Sequence, residues 1–133
     1  MVKKEYNIST LETFLNEILD GSVSDNTFFG TAPEASFIAT QDWEDMCIVE
    51  IPNGIYDKDA YGIGTAFIWL YAKPLSSGRK NVAVMSALEK KLNEVINGNS
   101  GNGYFLSKEM TYTDYDTEIN WHCNVVELQI LIV

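Results

Sequence analysis

Thr65-Ala-Phe-Ile-Trp-Leu-Tyr-Ala72 runs uncharged into Lys73-Pro-Leu-Ser-Ser-Gly-Arg-Lys-Asn81, and that polar turn opens into Val82-Ala-Val-Met-Ser-Ala-Leu-Glu-Lys-Lys-Leu-Asn-Glu-Val-Ile-Asn97. The first segment predicts a strand over Ile63–Lys73. Ala66, Ile68, Leu70 and Ala72 fall on one side of it, and Phe67, Trp69 and Tyr71 on the other. A strand apolar on both sides needs cover on both, from helices, a second sheet or another subunit. The last segment has the spacing of an amphipathic helix. Met85, Leu88, Leu92, Val95 and Ile96 share one face, Asn81 can cap its start, and the glycine-rich stretch to Gly103 stops it.

Toward the N-terminus, Leu11, Phe14, Leu15, Ile18 and Leu19 mark a second amphipathic helix. Ser9 and Glu12 have capping-box spacing, and Gly21 suits the position just past the helix end. Ser22 to Glu34 reads as a loop in which Phe28 and Phe29 serve either as local core plugs or as partner contacts. Two further strands are expected at Ala35–Thr40 and Met46–Ile51, separated by a turn at Asp42-Trp-Glu-Asp45. Toward the C-terminus, Tyr104–Tyr112 and Glu118–Val133 read as a hairpin around Thr113-Asp-Tyr-Asp-Thr117. The last of these strands is about three times the usual length, which predicts a bend or bulge within it. The whole predicts one α+β domain over residues 1–133: a mixed, mainly antiparallel sheet packed with two helices and ending in a long hairpin.

With 46% hydrophobic and 21% charged residues, the 133-residue chain has an ordinary globular composition, so disorder is not expected. Its net charge of −10 argues against broad nucleic-acid binding, which needs a cationic face, and suits a solubilising surface or one past which DNA slides. No run approaches the ~18 apolar residues of a membrane span, and the basic start lacks the apolar core of a signal peptide, so cytoplasmic synthesis is the expectation. Cys47 and Cys123 are then simplest as buried free thiols within strands, although two cysteines leave a disulfide open.

Catalytic and metal motifs are weak throughout. Asp57-Lys-Asp59-Ala-Tyr61-Gly62 begins like a calcium loop but places Ile68 where the bidentate glutamate belongs, and Asp114-Tyr-Asp116-Thr-Glu118 lacks the glycine. Both read as turn carboxylates. His122 is the single histidine, and it points away from its neighbour Cys123 on a strand; it reads as a strand histidine near an edge. Neither glycine cluster has the order of a phosphate loop. The expectation is a non-enzymatic protein with no catalytic residue, no metal site and no cofactor. Arg79 and Lys80, two of only nine cations, sit on a polar turn and are candidates to reach an acidic neighbour.

The order of elements, with Ile68-Trp-Leu-Tyr-Ala-Lys73 leading to Gly78-Arg-Lys-Asn81, then Leu88-Glu-Lys-Lys-Leu-Asn-Glu-Val95, and Tyr112-Thr-Asp-Tyr-Asp-Thr-Glu118 before the closing strand, resembles the tail-terminator and tail-completion (neck) proteins of long-tailed bacteriophages. That resemblance covers most of the chain. It implies a virion structural protein that assembles in the bacterial cytoplasm as a ring, commonly of six copies, at the head-proximal end of the tail. Such a ring caps the tail tube, joins it to head-connector proteins and lets DNA pass without specific binding. Phe28, Phe29, Trp69, Tyr71, Arg79 and Lys80 are the candidate partner-binding residues. Acidic side chains among Asp42–Asp59 and Asp114–Glu118 are expected in loops and turns, some facing the central passage. The alternative is an acidic monomeric binding or inhibitor protein, of the immunity or DNA-mimic type.

Overall fold

A computed structural model describes residues 7–52, 54–101 and 103–133. The elements, in chain order, are α1 (Ile8–Leu19), β1 (Thr27–Phe29), α2 (Ala35–Ile38), β2 (Asp45–Glu50), β3 (Tyr56–Asp57), β4 (Gly62–Ala72), α3 (Val82–Gly98), β5 (Tyr104–Asp116) and β6 (Trp121–Ile132). The fold is α+β. One six-stranded sheet has the order β1-β2-β4-β6-β5, with β3 pairing on β4 beside β2. All pairings are antiparallel except β1 with β2.

β4 is the axis of the sheet because it can be buried on both sides. Its Ala66, Ile68, Leu70 and Ala72 enter the larger core with Leu11, Leu15 and Leu19 of α1, Met85, Leu88, Leu92 and Ile96 of α3, and Val126, Leu128, Ile130 and Ile132 of β6. The helical periodicity therefore places the two long helices over this face, and Val95 is only partly buried at its margin. Asn81 caps α3 as expected, its side chain accepting from Val84 N at 3.2 Å. Gly64 is where α1 comes closest: a Cβ there would lie 2.8 Å from Leu11 Cδ2, closer than carbon atoms pack. Phe14 stacks on Tyr104 with ring centroids 4.0 Å apart, tying α1 to the start of β5.

Several local expectations are corrected. Ala35–Ile38 is a single helical turn, not a strand over Ala35–Thr40, and Ile38 is its one buried residue. Four residues with one buried position fit either period, and the following bonds Thr40 N to Phe37 O and Gln41 N to Ile38 O continue the turn. The expected loop from Ser22 to Glu34 contains β1, fixed by long-range contacts: Ser24 Oγ donates to Asp45 Oδ1 at 2.6 Å and Asn26 Nδ2 to Asp45 O at 3.0 Å. The cap of α1 is Asn7, whose side chain accepts from Thr10 N at 3.1 Å, so Ser9 lies inside the first turn. Gly21, at φ +71°, follows the helix as expected.

The hairpin is present, but β5 continues to Asp116 and the reversal falls after it, ending on Asn120 at φ 58°. The bulge lies in β5, between Lys108 and Met110, and not in the final strand. β6 is an inner strand, so His122 stands in the sheet interior and not near an edge. The acidic residues are also less confined to loops than expected, since Asp45 and Glu50 bound β2, Asp57 lies in β3, and Asp114 and Asp116 lie in β5.

Candidate interaction surface

The face of the sheet opposite the long helices follows from strand register. Row by row across β4, β6 and β5, it presents Ile63–Leu131–Phe105, Thr65–Gln129–Ser107, Phe67–Glu127–Met110, Trp69–Val125–Tyr112 and Tyr71–Cys123–Asp114. Met46, Ile48 and Glu50 extend it across β2. A smaller core covers one end: Ile38, Met46, Ile48, Tyr71, Trp121, Cys123 and Val125 are buried there, with Phe28, Trp43, Phe67, Trp69 and Ile119 packed against them. Trp43 joins this cover to the sheet by meeting Phe28 at 5.6 Å and Phe37 at 5.9 Å between ring centroids.

Only one short helical turn and its flanking loop cap this side, so the cover runs out toward β5. Met110 is 56% exposed, Phe105 46% and Tyr112 38%, while Phe67, Trp69 and Leu131 are half-buried. Phe67, Trp69, Met110 and Tyr112 occupy two adjoining rows, interrupted by Glu127, while the polar row Thr65–Gln129–Ser107 sets Phe105 and Leu131 apart. Exposed apolar side chains grouped like the first four mark an interaction site. β5 is also an edge strand. The first part of that edge is closed by the chain itself, where Gly101 and Tyr104 exchange backbone bonds at 2.6 and 3.0 Å and Leu106 N donates to Ser100 Oγ at 3.2 Å.

Of the sequence-predicted contact residues, Phe28, Trp69 and Tyr71 share this face. Phe29 lies on the other, packed against the larger core beside α1. Trp69 Nε1 is sealed from solvent and has no acceptor among the described residues. An unpaired buried donor of this type costs about 1–3 kcal/mol. The Tyr71 hydroxyl donates to Asp116 Oδ2 at 3.2 Å, and burial, with Cys123 and Asp116 beside it, pushes the phenol up from its ordinary pKa. A shallow groove of about 260 Å3 is lined by Ile48, Glu50, Trp69, Tyr71 and the segment Gly30-Thr-Ala32.

Arg79 and Lys80 part company. Gly78 N donates to Leu75 O and Leu75 N to Arg79 O, forming a tight turn with Gly78 at φ +85°. Arg79 is exposed on that turn. Lys80 folds back instead: its Nζ donates to Asn124 Oδ1 at 2.7 Å, and Asn124 Nδ2 donates to Glu89 Oε1 at 3.3 Å. Asn124 is only 7% exposed, on the helix-covered face of β6, so Lys80 supplies a bond within the fold. The expectation that both cations belong to a free loop therefore holds for Arg79 and is corrected for Lys80.

The remaining chemistry-bearing groups serve local structure. Asp57 Oδ1 accepts from Asp59 N at 2.8 Å and Asp116 Oδ1 from Glu118 N at 2.9 Å, both turn bonds. Cys47 and Cys123 are buried and free, and alternation along β2 and β6 sends them to opposite faces of the sheet, which precludes a bridge between them. Burial first, then Asp45, pushes the Cys47 thiol up to about 12. Burial, with Asp114 and Asp116, pushes Cys123 up to about 11. Among the described residues, no helix is long and apolar enough to cross a membrane.

Phe105, Met110, Tyr112, Leu75 and Glu50 were not singled out from sequence. Alternation in Tyr104–Tyr112 could not have grouped the first three, since Phe105 reaches the same face as Met110 and Tyr112 only because the bulge reverses the parity between them. No protein-family model matches this chain, and no curated protein is detectably similar to it.

Proposed function

We propose that this chain is a non-enzymatic structural protein that works by self-assembly, as a ring at the head-proximal end of a bacteriophage tail. In this reading the ring caps the tail tube and joins it to the head connector in the virion, and DNA passes through without specific binding. The observation that supports the self-assembly part is the set of exposed or half-buried apolar side chains Phe67, Trp69, Met110 and Tyr112 in adjoining rows of one sheet face, with Phe105 beyond a polar row. Subunit contacts give such a surface its second side. The place in the tail rests on the resemblance of the strand, loop, helix and hairpin segments to tail terminators.

Solution mass across a concentration series, by light scattering and by electron microscopy of the particles, tests it. Closed rings in the wild type, and their loss in Phe105→Lys/Met110→Lys with an unchanged melting temperature, are the expected results. A chain that stays monomeric at all concentrations and on purified tail tubes would remove the proposal. The other reading, an acidic monomeric inhibitor, draws support from Asp114, Asp116 and Glu118 gathered at one end of the hairpin. It predicts a monomer that binds a basic protein in a salt-sensitive manner.

A further inference from the structure

We infer that subunits join head to tail by seating the turn Pro74–Arg79 of one copy in the groove between Trp69, Ile48 and Glu50 of the next. This rests on the self-assembly reading and adds a second contact beside the patch around Met110 and Tyr112. The turn and the groove are complementary in each kind of chemistry they carry. Leu75, 46% exposed beside Pro74, is an apolar knob at the start of the turn. Of the groove's apolar lining, Ile48 and Tyr71 are buried and Trp69 is half-buried.

Ser76 and Ser77 are exposed and bring hydroxyl acceptors. Among the described residues Trp69 Nε1 is a donor without an acceptor, on a half-buried ring that lines the groove. Arg79 is an exposed guanidinium with no ion pair or side-chain hydrogen bond among the described residues. Glu50, which lines the groove, meets no cation among those residues either. In a chain of net charge −10, a free cation beside an apolar knob is the feature that tells a neighbour where to dock.

The geometry also suits a ring. The turn follows the Ala72 end of β4, whereas the groove lies on the face of the sheet beneath the loop after β1. Two different patches make a heterologous contact, which propagates from copy to copy and makes a ring where its rotation closes; a contact of one patch with itself would stop at a dimer. Lys80 assists without touching the neighbour, because its bond to Asn124 anchors the turn from below and leaves the side chains of Leu75 and Arg79 exposed on it.

Two paired measurements on the full chain test the contact. The first is reversal of charge. Arg79→Glu and Glu50→Arg should each weaken assembly roughly tenfold, and the two together should recover most of it. The second is cross-linking under mild oxidant, for which buried Cys47 and Cys123 leave a silent background. Arg79→Cys/Glu50→Cys should yield a covalent ladder ending in a closed multimer, and Arg79→Cys/Lys91→Cys should not. If oligomers form but neither reversal weakens them and the ladder is absent, the contact lies elsewhere and self-assembly stands. A chain that neither associates nor cross-links at any concentration overturns both.

Discussion

Replacing Lys80 by alanine separates the anchored half of the basic turn from its free half. The lost bond, 2.7 Å from Nζ to Asn124 Oδ1, ends on a side chain only 7% exposed, with Glu89 as its other partner. Removing one partner of a buried pair strands the other, at about 1–3 kcal/mol, the upper range applying when one group is charged. An unfolding entropy of about 2.1 cal/mol/K per residue gives this chain about 0.28 kcal/mol/K, so Lys80→Ala should lower the melting temperature by about 4–11 °C. Arg79→Ala, at an exposed position without a side-chain bond, should stay within about ±0.5 kcal/mol. Differential scanning calorimetry of both variants, with Asn124→Leu and Lys80→Ala/Asn124→Leu completing a double-mutant cycle, measures the coupling directly. Stability loss well below additive in the double variant is expected, because removing both partners leaves neither end of the Lys80–Asn124 bond stranded. Equal melting temperatures for the two alanine variants, or additive losses in the cycle, would refute the assignment of Lys80 to the fold.

Other outcomes follow from single distances and burials. Gly64→Ala should destabilise by about 1–3 kcal/mol in urea titrations, since its Cβ meets Leu11 Cδ2 at 2.8 Å, whereas Gly98→Ala at the end of α3, with open space around it, should be neutral or stabilising. Neither thiol should react with a disulfide reagent at pH 8 until the chain is unfolded, and both should react in denaturant. Both thiols have folded pKa values raised above the ordinary 9.0, so the stability linked to them is complete below pH 9 and is lost as pH climbs toward 11–12. Urea midpoints measured from pH 7 to 11 should be level at first and then fall, with a shallower fall in Cys47→Ala. Leu88→Ala, fully buried between α3 and the sheet, should cost about 2–5 kcal/mol by the same titration.

What the sequence disclosed was periodicity over long segments. α1, β2, β4, α3 and the hairpin strands could all be read because each carries its own repeating pattern, and the doubly apolar β4 foretold a sheet covered on both sides. What stayed hidden depends on contacts between distant residues. β1 is three residues long and exists because Asn26 and Ser24 reach Asp45, about twenty positions away. The turn of the hairpin moved because register, not composition, fixes it: Trp121, Cys123 and Val125 must face the smaller core, which draws Thr113–Asp116 into the strand although those residues have turn character. The contact candidates divided for similar reasons. Lys80 and Arg79 are neighbours with the same charge, and only the position of Asn124 on β6 distinguishes them.

The sheet order β1-β2-β4-β6-β5 places β6 between two strands that are synthesised before it. Until Trp121–Ile132 has been made, β4 has a bare edge and β5 has no neighbour along its length beyond the few bonds to Gly101 and Ser100. The larger core must wait as well, since β6 brings Val126, Leu128, Ile130 and Ile132 to it. The nascent chain can thus form α1, the β2–β4 pair and α3, but it gains cooperative stability only on insertion of β6. Such non-local closure is slow, and it leaves Thr65–Ala72 open to wrong partners in the interval. Substitutions that weaken β6 should consequently appear first as low soluble yield during expression, before any change in the folded protein can be measured.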